Sequence, residues 1–256
     1  MVSSQIKKGE KQLLVETPIK ENLLPNEIDN SWLNILTSDF INELQSIYAT
    51  IKDESYYPSN EVVMRFMKMN LSDVKCIILG MDPYPSDYMN EHNEKVSVAT
   101  GRSFEVDNLN NWNQKFKQAS LRNIVKAIYL QENGEDKSFA DIREEINNGK
   151  FHISQPHEWF DNMEKQGVMF LNATLTVKAG KPDSHTKLWE NIMNDIIRYI
   201  DNNATVKWLI LGNKAKERIT RVLGLKDNMV FGCHPRMTSF VNENIFSRIQ
   251  EINFYC

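Results

Sequence analysis

Three short apolar runs in this chain break off at residues that can do chemistry. Asp82 and Tyr84 follow Cys76-Ile-Ile-Leu-Gly-Met, Asn172 closes Val168-Met-Phe-Leu, and His234 follows Met229-Val-Phe-Gly-Cys. Gly80 and Pro83 force a sharp, stiff exit from the first run, so Asp82 and Tyr84 are presented at its end. An acid, an amide, an imidazole and an aromatic ring, brought to one place, make a polar site. The amide offers one donor and one acceptor face. His234 has no His, Cys or carboxylate beside it at ligand spacing, so the pattern is not that of a metal centre. The chain lacks the Gly-rich fingerprints of nucleotide-binding loops and the Gly-x-Ser-x-Gly of serine hydrolases. No cofactor is therefore expected.

The elements that must carry these residues are four buried strands: Val74 to Leu79, Val168 to Asn172, Val206 to Leu211 and Met229 to Cys233. The third ends on Gly212-Asn213. Helical spacing separates them over Leu121 to Leu130, Trp189 to Ile200 and Lys214 to Leu223. A further helix is expected over 31–52, capped by Asn30 or Ser31, and a last one over Asn242 to Ile252. Strands alternating with helices predict an α/β fold: three α/β/α layers around a central, mainly parallel, four-stranded sheet. In such a sheet the strand ends share one edge, where ligands bind. Residues 1–30 are polar with scattered prolines and are expected to form an arm. Residues 31–256 carry no Pro/Gly-rich linker and are expected to form a single domain.

The chain has 256 residues, 41% hydrophobic and 25% charged, with a net charge of −4. That balance disfavours a strongly basic nucleic-acid binder but leaves room for local basic faces. One such cluster is Lys207, Lys214, Lys216, Arg218, Arg221 and Lys226; another is Lys178, Lys181 and Lys187. No apolar run is long enough to span a bilayer, and the first ten residues do not form a secretory signal. Three cysteines without Cys-x-x-Cys spacing suit a reduced, cytoplasmic protein, with Cys76 and Cys233 expected in the core.

Gly80-Met-Asp-Pro-Tyr-Pro85 resembles the water-activating motif of family 1 uracil-DNA glycosylases, and Gly232-Cys-His-Pro-Arg236 resembles their His-Pro loop. Between them, Ala99-Thr-Gly-Arg-Ser-Phe104 is similar to the loop ending in the stacking Phe. Ser120-Leu-Arg-Asn123 is similar to the phosphate-pinching serine segment. Residues 167–180 resemble the strand with the base-reading Asn, and Ser184-His185 with Trp189-Glu190 matches as well. The resemblance runs from about Val74 to Ile249 in the family's order.

The resemblance implies a monofunctional, metal-independent glycosylase that flips uracil out of DNA and hydrolyses its N-glycosidic bond. Asp82 and His234 would be catalytic, the first stabilising the sugar cation and orienting water, the second donating to the uracil O2. Met81, Tyr84, Phe104 and Asn172 would bind the base, Tyr84 filling the space of a thymine methyl. Ser120, Ser184, His185, Arg236, Met237, Thr238 and Ser239 would meet DNA or support that contact. The protein is expected to be a monomer with DNA as its partner, and a DNA-mimicking protein inhibitor could take the same face.

Several positions depart from the family pattern. Met81 replaces a Gln, and Pro85 replaces a His, as in the poxvirus branch. The polar stretch Ser86 to Val98 is longer than usual. A second insertion near 134–157 is expected to add a helix outside the core. Arg236-Met237-Thr238-Ser239 stands where the family has Ser-Pro-Leu-Ser, so the wedge that enters the base stack is Thr238 by position or Met237 by chemistry. Met81 and the long loop also motivate an alternative, excision of a bulkier modified pyrimidine. A weak wedge motivates another, a catalytically weak DNA-binding module.

Overall fold

Every residue of Cys76–Gly80 and Val168–Asn172 is buried, which is why both segments are unbroken apolar runs rather than alternating ones. Residues 23–255 are described in the computed structural model of the protein. In chain order the helices are α1 (Ser38–Ile51), the single turn α2 (Asn60–Val63), α3 (Ala119–Asn133), α4 (Phe139–Asn147), α5 (Pro156–Lys165), α6 (Glu190–Asn203) and α7 (Asn213–Leu223). The strands are β1 (Tyr56–Tyr57), β2 (Cys76–Gly80), β3 (Asp87–Met89), β4 (Lys95–Ser97), β5 (Val168–Asn172), β6 (Val177–Lys178), β7 (Lys207–Leu211) and β8 (Met229–Gly232).

The central sheet has the order β5-β2-β7-β8 and all its pairs are parallel. Ile77, Leu79, Met169, Leu171, Trp208 and Ile210 pack on one face, under α1, α6 and α7. Cys76, Ile78, Val168, Phe170, Leu209 and Leu211 pack on the other, with α3, α5 and the C-terminal segment. The period of two within each strand thus feeds two separate apolar layers. The expected three-layer α/β/α architecture is the observed one. Gly80 is in register with Asn172, and Leu211 with Gly232, so all four strands end at one edge. The chain passes from β2 to β5 on one side and returns to β7 on the other, placing the reversal of strand order beside β2.

Several local expectations are corrected. The helix expected over 31–52 is split: Asn30–Trp32 is a 3-10 turn capped by Asp29, and α1 starts only after Thr37, whose hydroxyl accepts from Phe40 N–H. Ser31 Oγ instead accepts from Leu71 N–H at 2.9 Å. The helix expected over Asn242 to Ile252 is absent. Short 3-10 turns over Thr238–Glu243 and Phe246–Arg248 flank Asn244, whose φ of 49° breaks any helix. Their rings hold the segment in place, Phe246 packing against Phe240 and Phe254.

Of the expected N-terminal arm, residues 1–22 lie outside the described residues. Leu23 and Leu24 are buried in the core, so residues 23–30 pack with the rest of the chain. The insertion near 134–157 contains α4, which buries Ile142 and abuts α3, and leads into α5 with Pro156 in its first turn. Ser86 to Val98 folds as the antiparallel hairpin β3–β4. The sequence pattern carried no sign of α5 or this hairpin.

Candidate active site

The ladder continues one step beyond β2 and β5, with Ala173 N–H donating to Gly80 O at 3.0 Å and Thr174 N–H to Met81 O at 2.9 Å. This fixes the turn that delivers Asp82. One carboxylate oxygen of Asp82 accepts from the backbone N–H of Asp183 at 2.9 Å. Burial pushes the Asp82 carboxyl above the ordinary carboxylate value, against the Asp183 N–H bond, which favours the ionised form. The Asp183 carboxylate adds to the rise and the Lys214 ammonium opposes it.

Asn172 ends β5 and is buried. Its amide lies against Gly80, where a Cβ would meet Asn172 Oδ1 at 2.6 Å, Ser103 Cβ at 3.0 Å and Phe104 Cε2 at 3.5 Å. A side chain at position 80 would therefore displace both the amide and the Phe104 loop. Phe104 holds φ at 68°, a left-handed conformation rare for a bulky residue and characteristic of functional loops. Its neighbours secure it. Ser103 Oγ donates to Ile78 O at 3.0 Å, and the buried Arg102 guanidinium binds Glu105, Asp161 and Glu164. Tyr84 Oη points to Phe104 O at 3.4 Å.

His234 follows β8. The backbone N–H of Arg236 donates to His234 Nδ1 at 3.0 Å. A nitrogen that accepts a hydrogen bond carries no proton, so the neutral ring bears its hydrogen on Nε2. Desolvation by its neighbours, and then the Arg236 charge, hold the imidazole below its ordinary pKa and favour this neutral form. The ring lies over Gly212, whose added Cβ would sit 3.2 Å from both His234 Cβ and Cδ2. The Asn123 amide donates to Pro235 O at 2.6 Å and Met237 O at 3.3 Å, tying the loop to α3.

These pieces meet in one cavity of about 200 Å³, whose wall includes Met81, Asp82, Tyr84, Phe104, Asn172 and His234. Ser120 and Arg236 reach its rim. A larger cleft of about 650 Å³ adjoins it past Asp183, Lys214, Cys233, Met237 and Ser239. Among the described residues, no group of three His, Cys, Asp or Glu side chains could hold a metal ion.

No family model matches the chain. A uracil-DNA glycosylase of Buchnera aphidicola is 30% identical over 213 residues, covering 80% of this chain and 82% of that protein. The chain belongs to the uracil-DNA glycosylase family. The UNG of Nitratifractor salsuginis shares the fold at a TM-score of 0.69 and 20% identity, over 95% of this chain and 97% of that one. So does a mimivirus UNG solved in complex with UGI, at a TM-score of 0.65 and 19% identity, over 93% and 87% of the two chains.

In this member of the uracil-DNA glycosylase family some expected site residues stand elsewhere. Ser120 lies inside the first turn of α3, which begins at Ala119 with Gln118 before it. His185 is buried, with Nδ1 2.9 Å from Thr176 Oγ1 and Nε2 3.6 Å from Glu54. It braces the loop from within and is not placed to touch DNA. Ser184 is exposed, its hydroxyl accepting from Lys178 N–H at 2.8 Å. Cys233 is half-buried at the cleft, not in the core as Cys76 is, and Cys256 lies outside the described residues. The β3–β4 hairpin does not line the 200 Å³ cavity; Lys95, Val96 and Ser97 face a separate one beside Tyr57 and His157. The long loop thus gives no structural motive for a bulkier base, while Met81 does line the cavity.

The basic clusters are largely neutralised. Lys178 pairs with Glu54, Lys207 with Glu251, Lys226 with Asp201, and Arg218 and Arg221 with Glu190. Sequence reasoning missed Asp183, Arg102 and Asn123. Asp183 is 101 positions from Asp82, and only the folded loop brings them together.

Proposed function

We propose that this chain removes uracil from DNA by hydrolysing the bond between the base and deoxyribose C1′, leaving an abasic site. The observation that carries the reading is the single small cavity onto which an acid, a neutral imidazole donor, an amide and two aromatic rings converge. As the bond stretches, positive charge grows on the sugar and negative charge on the base. The ionised Asp82 stabilises the first and orients the water that attacks C1′. His234 Nε2–H donates to the uracil O2 as it becomes an oxyanion. Uracilate leaves without a general acid, unlike the leaving groups of two-carboxylate glycosidases.

Asn172 pairs with uracil N3–H and O4, Phe104 stacks on the ring, Tyr84 excludes a 5-methyl group and Met81 closes the wall. The target must leave the base stack to reach this cavity. Met237 is 57% exposed at the tip of the His-Pro loop and is the apolar side chain suited to enter the gap, with Thr238 beside it. Arg236 and Ser239 are exposed at the cleft, Ser184 is exposed in the groove beside Asp183 and Lys214, and all three serve as phosphate contacts. Ser120 presents the N-terminal turn of α3, a favourable phosphate site.

Residues 31–256 act as one catalytic unit, monomeric and cytoplasmic. Among the described residues no helix is long and apolar enough to cross a membrane. A DNA-mimicking inhibitor would occupy the same face, a reading supported by the fold shared with the UGI-bound mimivirus UNG. The test is incubation in EDTA with single-stranded oligonucleotides bearing one uracil, thymine, cytosine or 5-modified pyrimidine, followed by alkali. Strand breaks at uracil alone are expected. Breaks only at a modified base, or none with DNA binding intact, would overturn the reading.

A further inference from the structure

The loop between β6 and α6 meets Asp82 through its backbone, and an ion pair holds that loop in place. Asp183 N–H donates to Asp82 Oδ2 at 2.9 Å. To point that N–H inward, Asp183 adopts a φ of 61°, a conformation that Asp and Asn tolerate better than other side chains. Its own carboxylate turns away and accepts from Lys214 Nζ at 2.5 Å. Thr186 Oγ1 donates to Asp183 O at 3.0 Å and closes the turn. Lys214 is the second residue of α7, whose first residue follows Gly212, the glycine under His234.

We propose that Asp183 and Lys214 form a brace that orients the Asp82 carboxylate, acting as positioning residues for the water-activating step. The proposal rests on the catalytic reading of Asp82. A carboxylate has two oxygens. The Asp183 N–H engages Oδ2 and stops the group from rotating, which leaves Oδ1 to hold a water in one direction. Lys214 keeps the strained turn closed from outside.

The brace also sets the charge around Asp82. The titratable or charged groups that face it across the cleft are Asp183, Lys214, Cys233, His234 and Arg236, with Tyr84 and Arg102 on the pocket side. The Asp183 N–H bond, which Asp183→Asn keeps, pulls the Asp82 carboxyl down; the Asp183 carboxylate pushes it up and Lys214 pulls it down. Breaking the pair from either side therefore moves the acid limb of activity in opposite directions, an outcome that simple loosening of the loop would not produce.

The test uses the full chain with Asp183→Asn, Lys214→Met and the double variant. Single-turnover uracil release is measured against pH, and folding is checked by thermal denaturation. Asn keeps the left-handed turn and its N–H but loses the ion pair. Each single variant is expected to lose about tenfold or more in rate. The double variant should lose little beyond the worse single one. The acid limb should shift down in Asp183→Asn and up in Lys214→Met. Folded variants with wild-type rates, or limbs that stay put or move the same way, would overturn the brace. Asp82→Asn is measured alongside. If it is inactive while the brace variants behave as wild type, the brace alone falls. If it is active, the catalytic role of Asp82 falls and takes the brace with it.

Discussion

The Asn172 amide oxygen lies 2.6 Å from where a side chain on Gly80 would begin, so Asn172 sits where it does because position 80 has none. Gly80→Ala is expected to push the Asn172 amide and Ser103 off their positions and lower kcat/KM for uracil by about ten- to a hundredfold. The added methyl overpacks a fully buried strand, so Gly80→Ala should also lower stability, by about 1–3 kcal/mol. Steady-state kinetics beside a melting curve separate the two effects. Unchanged kinetics would mean that Asn172 does not read the base.

The hydrogen on His234 Nε2 follows from the Arg236 N–H bond to Nδ1. His234→Ala should reduce kcat by about 10²–10³-fold, the effect of losing one oxyanion donor. The imidazole titrates below its ordinary value of 6.5, and Asp82 above its ordinary 3.8. In the proposed mechanism the active form has His234 neutral and Asp82 ionised, so acid disfavours it twice. Excision should fall as acidification protonates either group. A rate that rises on acidification would contradict this assignment.

In the proposed mechanism Tyr84 and Asn172 divide the discrimination between them. Tyr84→Ala should relax exclusion of thymine by about 10- to 200-fold, the usual worth of a methyl-sized contact. Asn172→Asp should shift preference toward cytosine, whose edge reverses the donor and acceptor that the amide meets. Oligonucleotides carrying each base read both effects. Continued exclusion of thymine by Tyr84→Ala would show that another residue guards the 5-position.

His157 clamps the loop behind Phe104, with Nδ1 3.2 Å from Glu105 and Nε2 2.8 Å from Asp107 O. Both neighbours are acceptors, so the doubly protonated ring fits best, and the Glu105 bond raises its pKa above the ordinary 6.5. A group whose pKa is raised on folding contributes fully below its unfolded value. That contribution is lost as pH rises through the folded value. Tm should therefore decline upward from about pH 6.5, and His157→Gln should flatten that slope. Equal slopes in both proteins would remove His157 from the clamp.

The parts of this molecule legible in the sequence are those fixed by local pattern. β2, β5 and β7 beyond Lys207 are continuous apolar runs because both faces of the sheet are covered there, while the edge strand β8 is mostly half-buried. Asp82, Asn172 and His234 each stand at or just past the end of one of these strands, so their meeting at one sheet edge was legible. What was not legible depends on contacts distant in sequence or on turn geometry. The start of α1 was misplaced because Ser31 accepts from Leu71 N–H instead of capping a helix. The C-terminal turns were misread as a helix because apolar spacing there serves packing of Phe240, Phe246 and Phe254. Arg102 lies beside the Phe104 loop in sequence, but its partners Asp161 and Glu164 come from α5, and nothing in the linear pattern announces them.

The central claim is that Asp82 powers hydrolysis and is not needed to bind DNA. The most direct measurement pairs single-turnover uracil release with equilibrium binding to the same uracil-bearing oligonucleotide, for wild type and Asp82→Asn. Wild type should release uracil in EDTA. Asp82→Asn should bind with similar affinity and release uracil about 10²–10⁴-fold more slowly. Near-wild-type release by Asp82→Asn would contradict the account.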